Sequence, residues 1–215
     1  MTDGSGLGDA YTEALGRIKA QGGEKARLGI VALLWICYLE RLLRLDELCQ
    51  ALAVEIGSHS GVVKLLLARE DVNPGSPDTP GGMTSLSYAA IGGHEGVVKL
   101  LLEREDVNPD SQDTSDGSTP LSNAALSGHE GVVELLLTQE DVNPERLDNN
   151  GRGPISIAAM MGRVGVVKLL LAREDVNPYR TDNYNLTPLL LATKRGRKEV
   201  AKLLRAHQAA TPSTH

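Results

Sequence analysis

The sequence predicts an all-α fold built as a single row of stacked helix pairs. Three observations predict it. One phrase repeats at near-constant spacing, the repeated helix is apolar around most of its surface, and Pro and Gly punctuate every copy at the same places. The phrase Gly-Val-Val-Lys-Leu-Leu-Leu-Ala-Arg-Glu-Asp-Val-Asn-Pro occupies residues 61–74 and returns with few changes at 96–109, 131–144 and 165–178. A weaker copy begins at Glu199, and the offsets between copies are 35, 35, 34 and 34 residues. Self-similarity at this period marks a repeat architecture, in which each unit hides its apolar side only against its neighbours.

Composition narrows the class further. The apolar fraction is 41% and the charged fraction 23%, the balance of a folded rather than a disordered chain. With one Trp, five Tyr and no Phe, the core has to be aliphatic. The net charge is −6, and no block of Lys and Arg tracks a phosphate backbone, which argues against nucleic acid as the main partner. The longest apolar run, residues 28–39, falls short of the ~18 residues a membrane span needs, and the first residues lack the pattern of a signal peptide. Cys37 and Cys49 are the only cysteines, so we expect two buried thiols in a reducing, intracellular and cytoplasmic setting.

Residues 1–46 carry no repeat. Residues 9–21 read as an amphipathic helix ended by Gly22-Gly23, and residues 24–45 as a second helix. That second helix is apolar nearly all round, through Leu28, Ile30, Val31, Leu33, Leu34, Trp35, Ile36 and Leu39. Asp46 is placed to cap a third helix over 47–56. Ser58-His59-Ser60-Gly61-Val62-Val63 aligns with Gly93-His94-Glu95-Gly96-Val97-Val98, so the third helix stands where a unit's first helix belongs. We therefore expect a hybrid first unit followed by about four full ones over 47–207. Residues 1–46 are expected to form a helical cap, because a terminal unit must shield the row from water.

Within each full unit, the first helix has a marked start. Thr119-Pro120 and Thr187-Pro188 place a capping hydroxyl before a Pro at the first helical position, where no amide donor is lost. Thr84-Ser85 and Gly153-Pro154 are weaker versions. The pairs Ala89-Ala90, Ala124-Ala125 and Ala158-Ala159 let neighbouring helices approach closely. Gly93, Gly128, Gly162 and Gly196 fall between the two helices, where positive φ ends a helix. The second helix follows, with Val97, Val98, Leu100, Leu101 and Leu102 wrapping most of its surface, so it must be covered on several sides. Asn108, Asn143 and Asn177 each precede Pro, which is expected to stop this helix. Asp116-Gly117, Asn150-Gly151 and Asn183-Tyr184-Asn185 then read as turns, Asn185 standing in for Gly in the left-handed region. The last unit is polar, with Lys194, Arg195, Arg197, Lys198, Lys202 and Arg205, and residues 208–215 are expected to fray.

Helix, turn, helix and protruding loop at this spacing, with Thr119-Pro-Leu-Ser-Asn-Ala-Ala125 and Thr187-Pro-Leu-Leu-Leu-Ala192, resemble the ankyrin repeat. Ser87, Ser122, Ser156 and Leu190 stand where that family usually has His, and the loops at 78–84 and 113–119 carry one extra residue. A second resemblance covers Tyr11 to Gly29 and Leu45 to Gly57. These stretches are similar to the start of the winged-helix region in fungal NACHT-type receptors, which carry ankyrin repeats further on. Leu42 departs from that pattern, and the rest of a winged helix is missing.

Nothing in the residues points to catalysis. No G-x-x-x-x-G-K-[ST] phosphate loop occurs, and Gly22-Gly23-Glu24-Lys25 is too short to be one. His59, His94 and His129 share one repeat position, so they are spread along the row and read as turn residues, not as converging metal ligands. Glu105-Asp106, Glu140-Asp141 and Glu174-Asp175 recur at each helix end as solvated charge. We expect no cofactor and no metal.

The ankyrin resemblance implies a binding role instead, with loop tips and the inner face of the first helices forming a concave surface for another protein. Carried over unit by unit, the loop positions are Met83, Ser118, Asn150, Arg152, Tyr184 and Leu186. The helix positions after the Ala pairs are Ile91, Leu126, Met160, Met161, Lys194 and Arg195. Ile91, Leu126 and Met160 would form an apolar stripe, and Tyr184 and Arg152 are of types enriched at binding hot spots. The receptor resemblance implies an alternative, a truncated receptor fragment that self-associates or pairs with a full-length relative through residues 9–57.

Overall fold

The computed structural model describes residue 75 and residues 81–210, all within one compact unit, Leu45–His215. The expected cap, the hybrid first unit and the NACHT-like stretches lie outside the described residues. Among the described residues the fold is all-helical and has no strand. Four helix pairs follow one another: α1 (Ser85–Gly92) with α2 (Glu95–Leu102), α3 (Pro120–Ser127) with α4 (Glu130–Leu137), α5 (Pro154–Met161) with α6 (Val164–Leu171), and α7 (Pro188–Lys194) with α8 (Lys198–Ala210).

The pairs stack in sequence order. First helices pack on first helices, α1 on α3, α3 on α5 and α5 on α7, while α2, α4, α6 and α8 form a parallel second layer. The first layer is close because its facing residues are small: Ala89, Ala90, Ala124, Ala125, Ala158 and Ala159 are all buried. Between the layers lie Leu86, Leu101, Leu121, Leu136 and Leu170, each sealed from water and each stabilising the row by about 1.5–3 kcal/mol. The wide apolar face expected of the second helix is used as expected, with Val97, Val98 and Leu101 buried and Leu100 and Leu102 half-buried.

First-helix starts follow the capping chemistry. The Thr119 hydroxyl accepts from the Ser122 N–H at 3.2 Å, and the Ser122 hydroxyl accepts from the Thr119 N–H at 2.8 Å. Ser122 thus completes a reciprocal cap. Thr84 and Thr187 accept from Ser87 and Leu190, whereas Gly153 supplies no side chain.

The second helix does not end where the Asn-Pro pairs suggested. It ends at Leu102, Leu137 and Leu171, six residues earlier. There the apolar face runs out, and the last carbonyls are satisfied by tighter bonds: the N–H groups of Arg104, Gln139 and Arg173 donate to Leu101, Leu136 and Leu170. The Asn residues shape the exit turn instead. The side-chain oxygens of Asn108, Asn143 and Asn177 each accept the N–H two residues on, at 2.9 Å. At the far end α8 continues through Ala210, into the segment expected to fray. Lys194, Arg195, Arg197, Lys198, Lys202 and Arg205 are all exposed, giving the polar last unit that the sequence predicted.

Candidate protein-binding surface

Two kinds of connection border the first helices, and each is tied to the unit before it. The interhelix turn begins with a left-handed Gly, at φ 88° for Gly128, where a Cβ would also strike the Arg163 side chain. The next residue opens the second helix without capping it, because its side chain reaches backwards. His129 Nε2 lies 2.9 Å from the Ile91 carbonyl oxygen, while Arg163 Nε donates to the Leu126 carbonyl at 3.0 Å and Arg197 Nε to that of Met160 at 3.2 Å. One His and two Arg therefore make the same inter-unit bond, onto the last turn of the preceding first helix. His94, at the same register, turns its ring onto Gly92, and its Nε2 has no hydrogen-bond partner among the described residues. Burial and then the neighbouring His129 hold the His94 imidazole below its usual pKa.

The protruding loop is organised by a buried Asp. Asp148 Oδ1 accepts the N–H groups of Asn150 at 2.8 Å and Arg152 at 2.9 Å, and Asp182 Oδ1 accepts those of Tyr184 and Leu186 at 2.9 Å each. Asp113 sits at the same register in the loop that is one residue longer. It gathers three N–H groups, from Ser115, Asp116 and Gly117, and the Ser115 hydroxyl. Burial would raise the Asp113 carboxyl, but the hydrogen bonds from Asp116, Ser115 and Gly117 prevail and hold it below the usual carboxylate range. Gly117, Gly151 and Asn185 turn each tip through positive φ, 59° at Asn185, which is the substitution for Gly expected there. Backbone bonds then link tip to tip: Thr114 donates to Gly81, Asn149 to Asp116 at 2.8 Å and Asn183 to Asn150 at 2.9 Å, each spanning 33 residues.

The residues expected to bind a partner are distributed unevenly on this frame. Ile91 and Leu126 end α1 and α3 at 38% and 39% exposure, and Met160 and Met161 end α5 half-buried. Lys194 and Arg195 take the same two positions at the end of α7 and are exposed. Tyr184 is 69% exposed on its loop tip, while Asn150 and Leu186 are half-buried. Of the two further loop positions, Met83 is half-buried, and Ser118 is buried and presents no surface. Arg152 is held in place on its loop. Its guanidinium pairs with Asp148 at 2.7 Å, and its Nη1 lies 3.9 Å from Met160 Sδ, so loop and helix positions meet there.

Sequence reasoning overlooked the residues that aim these side chains. Asp113, Asp148 and Asp182 carried a signal, since they recur at the repeat spacing, but a carboxylate in a loop reads as solvated until its acceptor role is seen. The ion pairs that join units were equally silent. Arg146 pairs with Asp110 at 2.6 Å, and Arg180 with Glu145 at 3.5 Å, one register further along the row.

Among the described residues no cluster of His, Cys, Asp and Glu could hold a metal ion, and no helix is long and apolar enough to cross a membrane. No curated protein matches the chain. The family model described as ankyrin repeats (3 copies) matches residues 50–146 and again 139–214, which together make up most of the sequence. The two matched stretches include all four helix pairs, their left-handed glycine turns and their Asp-centred loops. The chain belongs to the ankyrin-repeat family, and its repeats are a protein–protein interaction module of a generally non-catalytic kind.

Proposed function

We propose that this chain is a non-catalytic scaffold that binds a partner protein on the face made by its first-helix ends and loop tips. The observation that carries this reading is the pair Ile91 and Leu126. Both are large aliphatic side chains, more than a third exposed, at one register of adjacent helices, with Met160 continuing the line. Stacking does not require them there, since the buried Ala pairs already make the inter-unit contact. Exposed apolar groups in a row mark an interface. Tyr184 adds a rigid aromatic on the bordering loop.

The test uses Leu126→Ala and Tyr184→Ala, which remove contact area without breaking an ion pair. Arg152→Ala is a poorer probe, because it strips Asp148 of its guanidinium. A partner captured from cell extract by the full chain is expected to be lost from both variants while their melting temperatures stay at the parent's value. Undiminished capture would count against this face.

We assign residues 1–46 as a cap on the row, within a reducing compartment suited to the two lone cysteines. Deleting them is expected to lower the melting temperature. The apolar helix read over 28–39 favours a second role, pairing with another copy or with a longer receptor through residues 9–57. Light scattering across the micromolar range separates the two, since a strict monomer throughout is incompatible with self-pairing.

A further inference from the structure

Resting on the binding face proposed above, we infer the chemistry of its partner: a protein segment in which an aliphatic stretch leads into a cluster of carboxylates, the acidic end lying over residues 194–198. Four registers around the interhelix turn change character along the row. At the first, Ile91, Leu126 and Met160 give way to Lys194. At the second, Gly92, Ser127 and Met161 give way to Arg195. At the third, His94 and His129 become Arg163 and Arg197. At the fourth, Glu95 and Glu130 become Val164 and then Lys198. Every register passes from apolar, neutral or acidic to basic in the same direction. The stretch 194–210 holds six of the chain's 22 Lys and Arg but only one of its 28 Asp and Glu.

These charges are available. Lys194, Arg195 and Lys198 are exposed, and none forms an ion pair among the described residues. Arg163 and Arg197 each use Nε on a carbonyl of the first helix of the preceding unit, which fixes their guanidinium groups beside the strip. Glu95 and Glu130 lie at the opposite end, their carboxylates folded over Gly131 and Gly165 of the following unit. An anionic membrane or a nucleic acid presents negative charge along its whole length and would meet those glutamates too. A short protein segment can confine its carboxylates to one end, which fits a strip that is apolar with acidic neighbours at one end and basic at the other. Packed helices lie about 8–10 Å apart, so the strip from Ile91 to Lys194 is roughly 30 Å long. An extended segment of about ten residues covers that distance.

The probe is a display library of random peptides, about 16 residues long to exceed that span, panned on the full chain at low salt. Enriched peptides are expected to group Asp and Glu at one end of an aliphatic stretch. Their affinity should fall as salt rises, and by about tenfold or more in the combined variant Lys194→Glu, Arg195→Glu and Lys198→Glu, a loss of the size expected for reversed interface charge. An unchanged circular-dichroism melt shows that this variant still folds, and Lys194→Gln, which removes a charge without reversing it, should give a smaller loss in the same direction. Peptides that need Leu126 but show no acidic grouping, or ignore charge reversal, overturn this inference and leave the binding face standing. Peptides indifferent to Leu126 and Tyr184 overturn both. A selection that enriches nothing refutes the segment, and so does charge-dependent binding to anionic vesicles or duplex DNA in its place.

Discussion

The interhelix turns and the protruding loops connect the same helices, yet they are held by opposite means. In the turn a side chain reaches back to a backbone carbonyl of the preceding unit, and His129, Arg163 and Arg197 all manage it. In the loop a buried carboxylate collects the tip's own N–H groups, and only Asp occupies that register, at Asp113, Asp148 and Asp182. A donor at the end of a long side chain needs only reach. An acceptor enclosed by N–H groups needs one length and one shape, because a misplaced carboxylate leaves several donors unsatisfied at once. The turn therefore has freedom to change charge along the row, and the loop has not. That freedom allows the turn registers to run from acidic to basic while the helices around them stay alike.

Four measurements test that contrast, beginning with the core on which both connections stand. Leu101→Ala is expected to cost about 2–5 kcal/mol in urea unfolding, as for sealed leucines elsewhere. Asp148→Ala should cost about 1–3 kcal/mol, since it orphans the N–H groups of Asn150 and Arg152. Asp148→Glu keeps the charge but not the length, and a stability equal to the parent's would break the contrast. Acidification comes third. The His94 imidazole is depressed in the fold, so the unfolded chain takes up the proton first as pH drops, and stability should decline from about pH 6.5 downward. His94→Asn should remove that slope near neutrality and leave the acid limb below about pH 4, to which the depressed Asp113 contributes. The smallest effect is His129→Arg. It substitutes the residue that the next unit already uses, and should change unfolding free energy by less than about 0.5 kcal/mol.

Much of this architecture was legible beforehand because it rests on local signals. The Val-Val-x-Leu-Leu-Leu helix, the Thr-Pro starts, the glycine turns and the left-handed Asn185 each follow from the chemistry of a few adjacent residues. What escaped the sequence is what spans units. The bond from Arg163 to Leu126 crosses 37 residues, and the pair Arg146–Asp110 crosses 36, so neither leaves a local pattern. The helix end at Leu102 was misplaced for a related reason: Asn108-Pro109 is a conspicuous stop, but the helix had already run out of apolar surface to bury. Arg152 was read as a loop residue of a type enriched at binding hot spots, and its pairing with Asp148 emerges only once the loop is folded. The stripe of Ile91, Leu126 and Met160 came from the family resemblance rather than from local chemistry, and Ile91 and Leu126 are more than a third exposed.

The tip-to-tip bonds from Thr114, Asn149 and Asn183 carry a consequence for how such a chain can lengthen. Each donor is matched to a carbonyl in the loop of the preceding unit, 33 residues earlier. A genetic duplication that copies one whole period would restore every match on both sides of the new segment. One that copies half a period would leave a donor facing the wrong carbonyl at each junction. Growth by whole copies is thus nearly free of structural penalty, and the arithmetic of the backbone itself acts as the filter on recombination.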